Sequence, residues 1–358
     1  MYKTYYLDHN ATSFPKNSVY LAYETKLRTS PFSTNIRSGI DPSDLVEDIL
    51  DKIKILHKVP ANCDSELIIT RGATEALNIG ASSGVLMPFC DPHMHNAIYT
   101  VLLKQGQTIQ NNIEELTEFN SVIINAASSF GISIDWKPVL AQLYYQVVLI
   151  DASQWISWDA DITDLLPTNF FANGNQVMIC WGFHKHLGMY PNLGVLLHLR
   201  PKGLYQRNFN RCIIGGVGNT DINYASSYKY SKVPAGTFNS IDLIAYKEML
   251  SYYIGNPYFL PKIDPDDKRI FDLCFQFLKE ADAESDVEYT TRGVTASFWH
   301  QELELGELTM RLNDYLNDLE PEAEVIYRVG KFCCNYYFDK VLTKDAGNER
   351  QGRIRLSL

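Results

Sequence analysis

Lys185 lies in Trp181-Gly182-Phe183-His184-Lys185-His186-Leu187-Gly188, directly after the apolar run Gln176-Val177-Met178-Ile179-Cys180. An amine delivered by a buried strand into a glycine-flanked turn is placed to attack a carbonyl, as Schiff-base lysines do. A second apolar run, Val147 to Ile150, ends in Asp151, with Gln154 three residues on. A carboxylate there can hold a cationic ring nitrogen, since an opposite charge favours the ionised acid. Taken alone, it reads equally as a strand-end cap. A third segment, Gly72-Ala73-Thr74-Glu75-Ala76, follows Leu67-Ile68-Ile69-Thr70 and is predicted to open a helix. Free N–H groups at Ala73 and Thr74, with the positive helix end, then make an anion seat. In isolation Thr74 is as readily a plain N-cap.

An amine for a Schiff base and an acid for a pyridinium nitrogen are the protein groups that pyridoxal phosphate chemistry needs most. With these segments the chain resembles the class V aminotransferase family, and within it the cysteine desulfurases. The resemblance implies Lys185 as the Schiff-base residue, His184 on the phosphate, Asp151 at the pyridine nitrogen and Gln154 at the phenolic oxygen. It places Ala73 and Thr74 on the phosphate as well. Gly182 stands where the family motif has a serine, which removes one phosphate hydrogen bond. His95, just before Asn96-Ala97, takes the place of the histidine that stacks on the ring and can shuttle a proton, with His93 as the alternative. Aligned on Gly131, Ser128 replaces an asparagine near the cofactor oxygen. Pro234-Ala235-Gly236-Thr237-Phe238-Asn239 matches a segment that enters the neighbouring subunit's site, so Thr237 implies a homodimer.

The C-terminal motif separates the reactions. Arg328-Val329-Gly330-Lys331-Phe332-Cys333-Cys334 resembles the desulfurase segment, with Cys333 at the catalytic place. Lys331, Arg328 or His95 would lower the pKa of such a thiol; the plainer reading is a buried pair of cysteines, with Cys334 a second thiol or packing residue. Gly352-Arg353-Ile354-Arg355-Leu356-Ser357 matches the strand whose arginine forks onto the substrate carboxylate, and Arg355 is preferred to Arg353. Tyr6 to Thr12, including Asn10, and Asn35 to Gly39 resemble segments lining the substrate mouth; Asn10, Ala11 and Thr12 read equally as a turn. The implied reaction converts L-cysteine to L-alanine and leaves a persulfide on Cys333, with a sulfur-acceptor protein as a possible partner. Two alternatives keep the fold: another class V activity on an amino acid (aminotransferase, lyase or epimerase), or a non-catalytic binding or regulatory protein. In the family a helix follows the arginine strand; with the sequence ending at Leu358, the expectation is that this helix is absent or the protein naturally short.

The elements that must position these residues are short apolar runs separated by helix-length segments, which predicts a mostly parallel, doubly wound α/β sheet with ligands at its carboxyl edge. That is the fold type I arrangement implied by the resemblance. Leu305, Leu308, Leu312, Tyr315 and Leu316 share one face of a predicted surface helix. The segment 256–266 reads as a linker and 167–174 as an inserted loop. The expected division is a large cofactor-binding domain over 15–250 and a smaller α/β domain made of 1–14 with 251–358. At 358 residues, 46% apolar and 21% charged, the chain is long enough for two cores. A net charge of -10 argues against a nucleic-acid or anionic-membrane surface. No apolar run approaches membrane-spanning length, and the N-terminus lacks signal-peptide features. Seven cysteines without a CxxC pair fit free thiols in the cytoplasm and no zinc site.

Overall fold

A computed structural model describes residues 3–8, 21, 24–25, 28, 42–83, 88–109, 121–129, 135–157, 159–186, 189, 193–204, 240–256, 264–290, 293–332 and 352–357. Their centre is a six-stranded sheet built from β2 (Cys63–Thr70), β3 (Pro88–Cys90), β4 (Ser121–Asn125), β5 (Val147–Asp151), β6 (Gln176–Gly182) and β7 (Gly194–Pro201), in the order β2-β7-β6-β5-β4-β3. Strands β3 to β6 run parallel, and β7 is antiparallel to both β6 and β2. Five of the six strands therefore point the same way, and each ends at one common edge. The central strands are buried along their whole length, which is why their sequences are continuous apolar runs rather than alternating ones.

Two apolar layers cover the sheet. One face carries α1 (Pro42–Leu56) and α6 (Ser240–Gly255), which pack on each other and share a core with Val148, Ile150, Val177 and Ile179. Leu45, Val46, Ile49, Leu50 and Ile53 recur at helical spacing along α1 and bury its inner face. The other face carries α2 (Ala73–Ser82) and α3 (Asn96–Lys104), packed over Leu149, Met178 and Leu196. A four-residue helix α4 (Lys137–Leu140) precedes β5, and another, α5 (Phe183–His186), follows β6 directly.

A separate apolar cluster gathers β1 (Lys3–Tyr6), α7 (Pro265–Glu280), β8 (Glu284–Thr290), β9 (Gly293–Trp299), α8 (Leu305–Leu319), β10 (Ala323–Ile326) and β12 (Arg353–Ser357), with β11 (Arg328–Gly330) paired at its edge. They form a four-stranded sheet in the order β11-β12-β9-β8 and a parallel pair β1-β10. In α8, Leu308, Leu312 and Leu316 are buried as their spacing predicts. Helix α7 begins inside the expected linker, with Asp264 accepting from the Asp266 N–H as its cap. Within the expected loop 167–174, Phe170 and Phe171 anchor a run of turns in the large core. Among the described residues no helix is long and apolar enough to cross a membrane.

Candidate active site

The common edge of the sheet is where polar residues collect. Strand β2 leads through Thr70 to Gly72 and α2, β3 to Asp91 and His95, β4 to Asn125 and Ser128, β5 to Asp151, and β6 to Lys185. Gly72 has φ of 101°, a left-handed conformation that suits a residue without Cβ, and no N-cap side chain satisfies the N–H groups behind it. Gly194 enables the next contact. A Cβ there would lie 2.7 Å from the Gly72 carbonyl carbon and 2.9 Å from the Ala73 nitrogen. The start of β7 thus lies flat against the mouth of α2.

Gly182 explains its own departure from the family motif. A Cβ at that position would stand 2.8 Å from His184 Cε1 and 2.9 Å from His184 Nδ1, with the Ala73 nitrogen at 3.9 Å. The imidazole of His184 occupies the space a serine would need, beside the first N–H of α2. A histidine and a helix N-terminus converging on a cradle without a side chain form a donor set suited to a phosphate.

Asp151, the last residue of β5, is nearly buried and accepts a hydrogen bond from the Ser153 N–H at 2.9 Å. His95 caps α3, its Nδ1 accepting from the Ala97 N–H at 3.2 Å. Burial holds its imidazole below the usual histidine range; the charge of Asp151 opposes that shift and the charge of Lys185 adds to it. Residues from three different strand ends therefore meet within charge-interaction range. The alternative, His93, is engaged by Asp91, whose Oδ1 lies 2.9 Å from the ring nitrogen and accepts from the His93 N–H. Ser128 is buried, Gln154 and Lys185 are half-buried, and Thr74 is exposed.

Arg355, on β12, is 1% exposed and reaches toward this edge. Its Nη1 donates to the Ser129 carbonyl at 2.9 Å and its Nη2 to Asp8 Oδ1 at 2.6 Å. Its guanidinium also lies over the ring of Phe332, the residue before Cys333, at 4.8 Å. Arg328 approaches the other oxygen of Asp8 at 3.4 Å while remaining half-exposed. Arg353 turns elsewhere, donating to Asp286 and Ser297 and stacking on Trp299 at 4.0 Å. The expected substrate arginine is thus already joined to a carboxylate of the chain itself.

Sequence reasoning passed over Asp91 and gave Asp8, inside the Tyr6 to Thr12 segment, no role of its own. Asp91 is buried, and its Oδ2 accepts from both the backbone and the side-chain N–H of Asn125 at 3.2 Å, tying β3 to the end of β4. Its signal was the same as that of Asp151, an acid closing an apolar strand. Cys333, Cys334, Thr237, Asn10 and Asn35 to Gly39 lie outside the described residues, as does Gly131. The described cysteines are held as thiols: burial pushes Cys63 up to about 11, Cys274 up to about 12, and Cys90 and Cys180 further still. Among the described residues no cluster of His, Cys, Asp or Glu is arranged to hold a metal.

The chain has the fold of solved cysteine desulfurases and NifS-like proteins. An apo cysteine desulfurase from Thermococcus onnurineus superposes with a TM-score of 0.65 at 15% identity, over 99% of this chain and 90% of that one. A NifS-like protein from Rickettsia africae gives 0.67 at 17% identity, over 99% and 94%. The cysteine desulfurase CsdA from Escherichia coli, in its S-sulfonic acid form, gives 0.62 at 15% identity, over 99% and 89%. No family sequence model matches the chain, and no curated protein matches it by sequence.

Proposed function

We propose that this protein is a pyridoxal phosphate enzyme acting on an amino acid, with cysteine desulfuration as its reaction. The observation that carries the reading is the meeting of His95, Asp151 and Lys185 at the carboxyl edge of the sheet, beside the His184 and Ala73 cradle. Those residues fit the group: Ala73, Thr74 and His184 would hold its phosphate, Asp151 its ring nitrogen, Gln154 and Ser128 its ring oxygen, and Lys185 its aldehyde carbon. When bound, the coenzyme supplies an electron sink for charge developing at the substrate Cα.

The chain's own residues do the rest. Arg355 orients the substrate carboxylate through its forked donors once that carboxylate shares or replaces Asp8, and Arg328 and Asn10 add to the mouth. The Lys185 amine takes the Cα proton, and His95, kept neutral by burial, is placed to move a second proton. The Cys333 thiolate attacks the substrate sulfur; the carbon–sulfur bond breaks, and cysteine plus the Cys333 thiol become alanine plus a Cys333 persulfide. Two features support Cys333 in this role. Its neighbour Phe332 packs under Arg355, and two of the structural neighbours are named as cysteine desulfurases. Thr237 would complete the site of a second subunit, and the division into 15–250 and 1–14 with 251–358 belongs to the same reading.

The test is product analysis with L-cysteine. The wild type is expected to release alanine and, with a thiol reductant, an equal amount of sulfide, whereas Cys333→Ser keeps the coenzyme absorbance and releases no sulfide. Normal turnover by Cys333→Ser would exclude the persulfide route, and transfer of an amino group to a keto acid would favour an aminotransferase.

A further inference from the structure

The turn that carries Lys185 is gripped from behind by one residue of a different helix. Tyr246, in α6, is completely buried. Its ring stacks on Phe183, the first residue of α5, with centroids 3.6 Å apart and planes within 6°. Its hydroxyl lies 2.9 Å from Nδ1 of His186, the last residue of α5, and 3.3 Å from Nε1 of Trp181 on β6. Phe183 and His186 bracket His184 and Lys185, so both ends of the four-residue turn are fastened to the same side chain.

Donor and acceptor roles here follow from elementary chemistry. An indole N–H can only donate, so the Tyr246 oxygen accepts from Trp181. The same hydroxyl and His186 Nδ1 share a proton in the second bond, whose direction is set by the His186 tautomer. Behind it stands His57, with ring centroids 4.9 Å apart. Its Nδ1 lies 2.8 Å from the Ala160 carbonyl, an acceptor, so this nitrogen carries the proton. Hydrogen bonds from β6 and α6 and a ring contact from His57, just past α1, thus converge on the lysine turn.

We propose that Tyr246 is a positioning residue for Lys185: stacked on Phe183 and hydrogen-bonded to His186, it fixes the turn from which the amine projects. The proposal rests on Lys185 being the residue that bonds the coenzyme. It acts at a place where neither Lys185 nor His184 needs to touch Tyr246, through the two residues on either side. A four-residue helix has no internal cooperativity to hold itself, so its geometry has to come from packing.

The experiment compares wild type, Tyr246→Phe and Tyr246→Leu. Phe keeps the stack and removes the hydroxyl; Leu removes both. In coenzyme-free protein, nitrogen NMR of the histidine rings is expected to show a single His186 tautomer in the wild type and a tautomer mixture in Tyr246→Phe. After addition of pyridoxal phosphate, borohydride trapping at Lys185, read by peptide mass, is expected to slow about tenfold in Tyr246→Phe, the scale of losing the hydrogen bond that reaches the turn at His186, and further in Tyr246→Leu. Coenzyme release should quicken in the same order. Wild-type trapping that is matched by both variants would overturn the positioning role, as would a His186 tautomer population that is the same in wild type and Tyr246→Phe. A wild type that traps nothing at Lys185 would instead overturn the coenzyme reading itself, so the two failures are distinguishable.

Discussion

Replacing Asp8 by alanine removes the carboxylate that faces a buried guanidinium. Arg355 is 1% exposed and donates to Asp8 and to the Ser129 carbonyl. Stripping one partner from a buried ion pair typically costs about 3–5 kcal/mol, since the surviving charge stays out of water. Arg328 adds little to that figure, because an exposed pair at 3.4 Å is largely screened. Asp8→Asn keeps an oxygen acceptor and loses the charge, so about 1.5–3 kcal/mol is expected there. Denaturant unfolding followed by circular dichroism measures both. A double replacement, Asp8→Leu with Arg355→Met, should cost less than Asp8→Ala alone, because no charge is left stranded. If Arg355 is also the seat of a substrate carboxylate, L-alanine added to Asp8→Ala should recover part of the loss, up to about 2.7 kcal/mol at a hundred times its dissociation constant. A loss under about 1 kcal/mol in Asp8→Ala, or a double variant worse than the single one, would refute the reasoning.

Other outcomes follow from single positions. His57 is fully buried, and burial lowers it from 6.5 to about 4, so the unfolded chain binds the extra proton first as pH falls. Its contribution is complete above about pH 6.5 and is lost between there and pH 4, roughly 3 kcal/mol in all; His57→Gln should flatten that acid limb, and an unchanged slope would count against it. Gly194→Ala drives a Cβ into the Gly72 and Ala73 backbone, and a cost of about 1–3 kcal/mol with weaker phosphate binding is expected by unfolding and by coenzyme titration. Gly182→Ala collides with the His184 ring and should loosen the coenzyme, whereas adding it to His184→Ala should change little; equal effects in both backgrounds would contradict the cradle.

The strands were legible because each is buried on both faces and so carries an unbroken apolar run, as in Val147 to Ile150 and Val177 to Cys180. Asp151 and Lys185 were legible because a polar residue closing such a run has one edge on which to emerge. The turning back of β7 was not visible, since an antiparallel strand buried on both faces has the same composition as a parallel one. Tyr246 gave no signal for a related reason: α6 is apolar nearly all round, so no stripe singles out the residue that meets the lysine turn. The Asp8–Arg355 pair joins residues 347 positions apart, and no local pattern encodes a contact of that span. Gly182 read as a defect in a motif until the His184 ring was found in the space it leaves.

The central claim is a covalent bond between the Lys185 amine and pyridoxal phosphate. Reducing the reconstituted protein with borohydride and mapping its peptides tests it most directly. The account predicts a phosphopyridoxyl mass on the peptide containing Lys185, abolished in Lys185→Ala. Labelling at another lysine, or none in a folded protein saturated with the coenzyme, would contradict it.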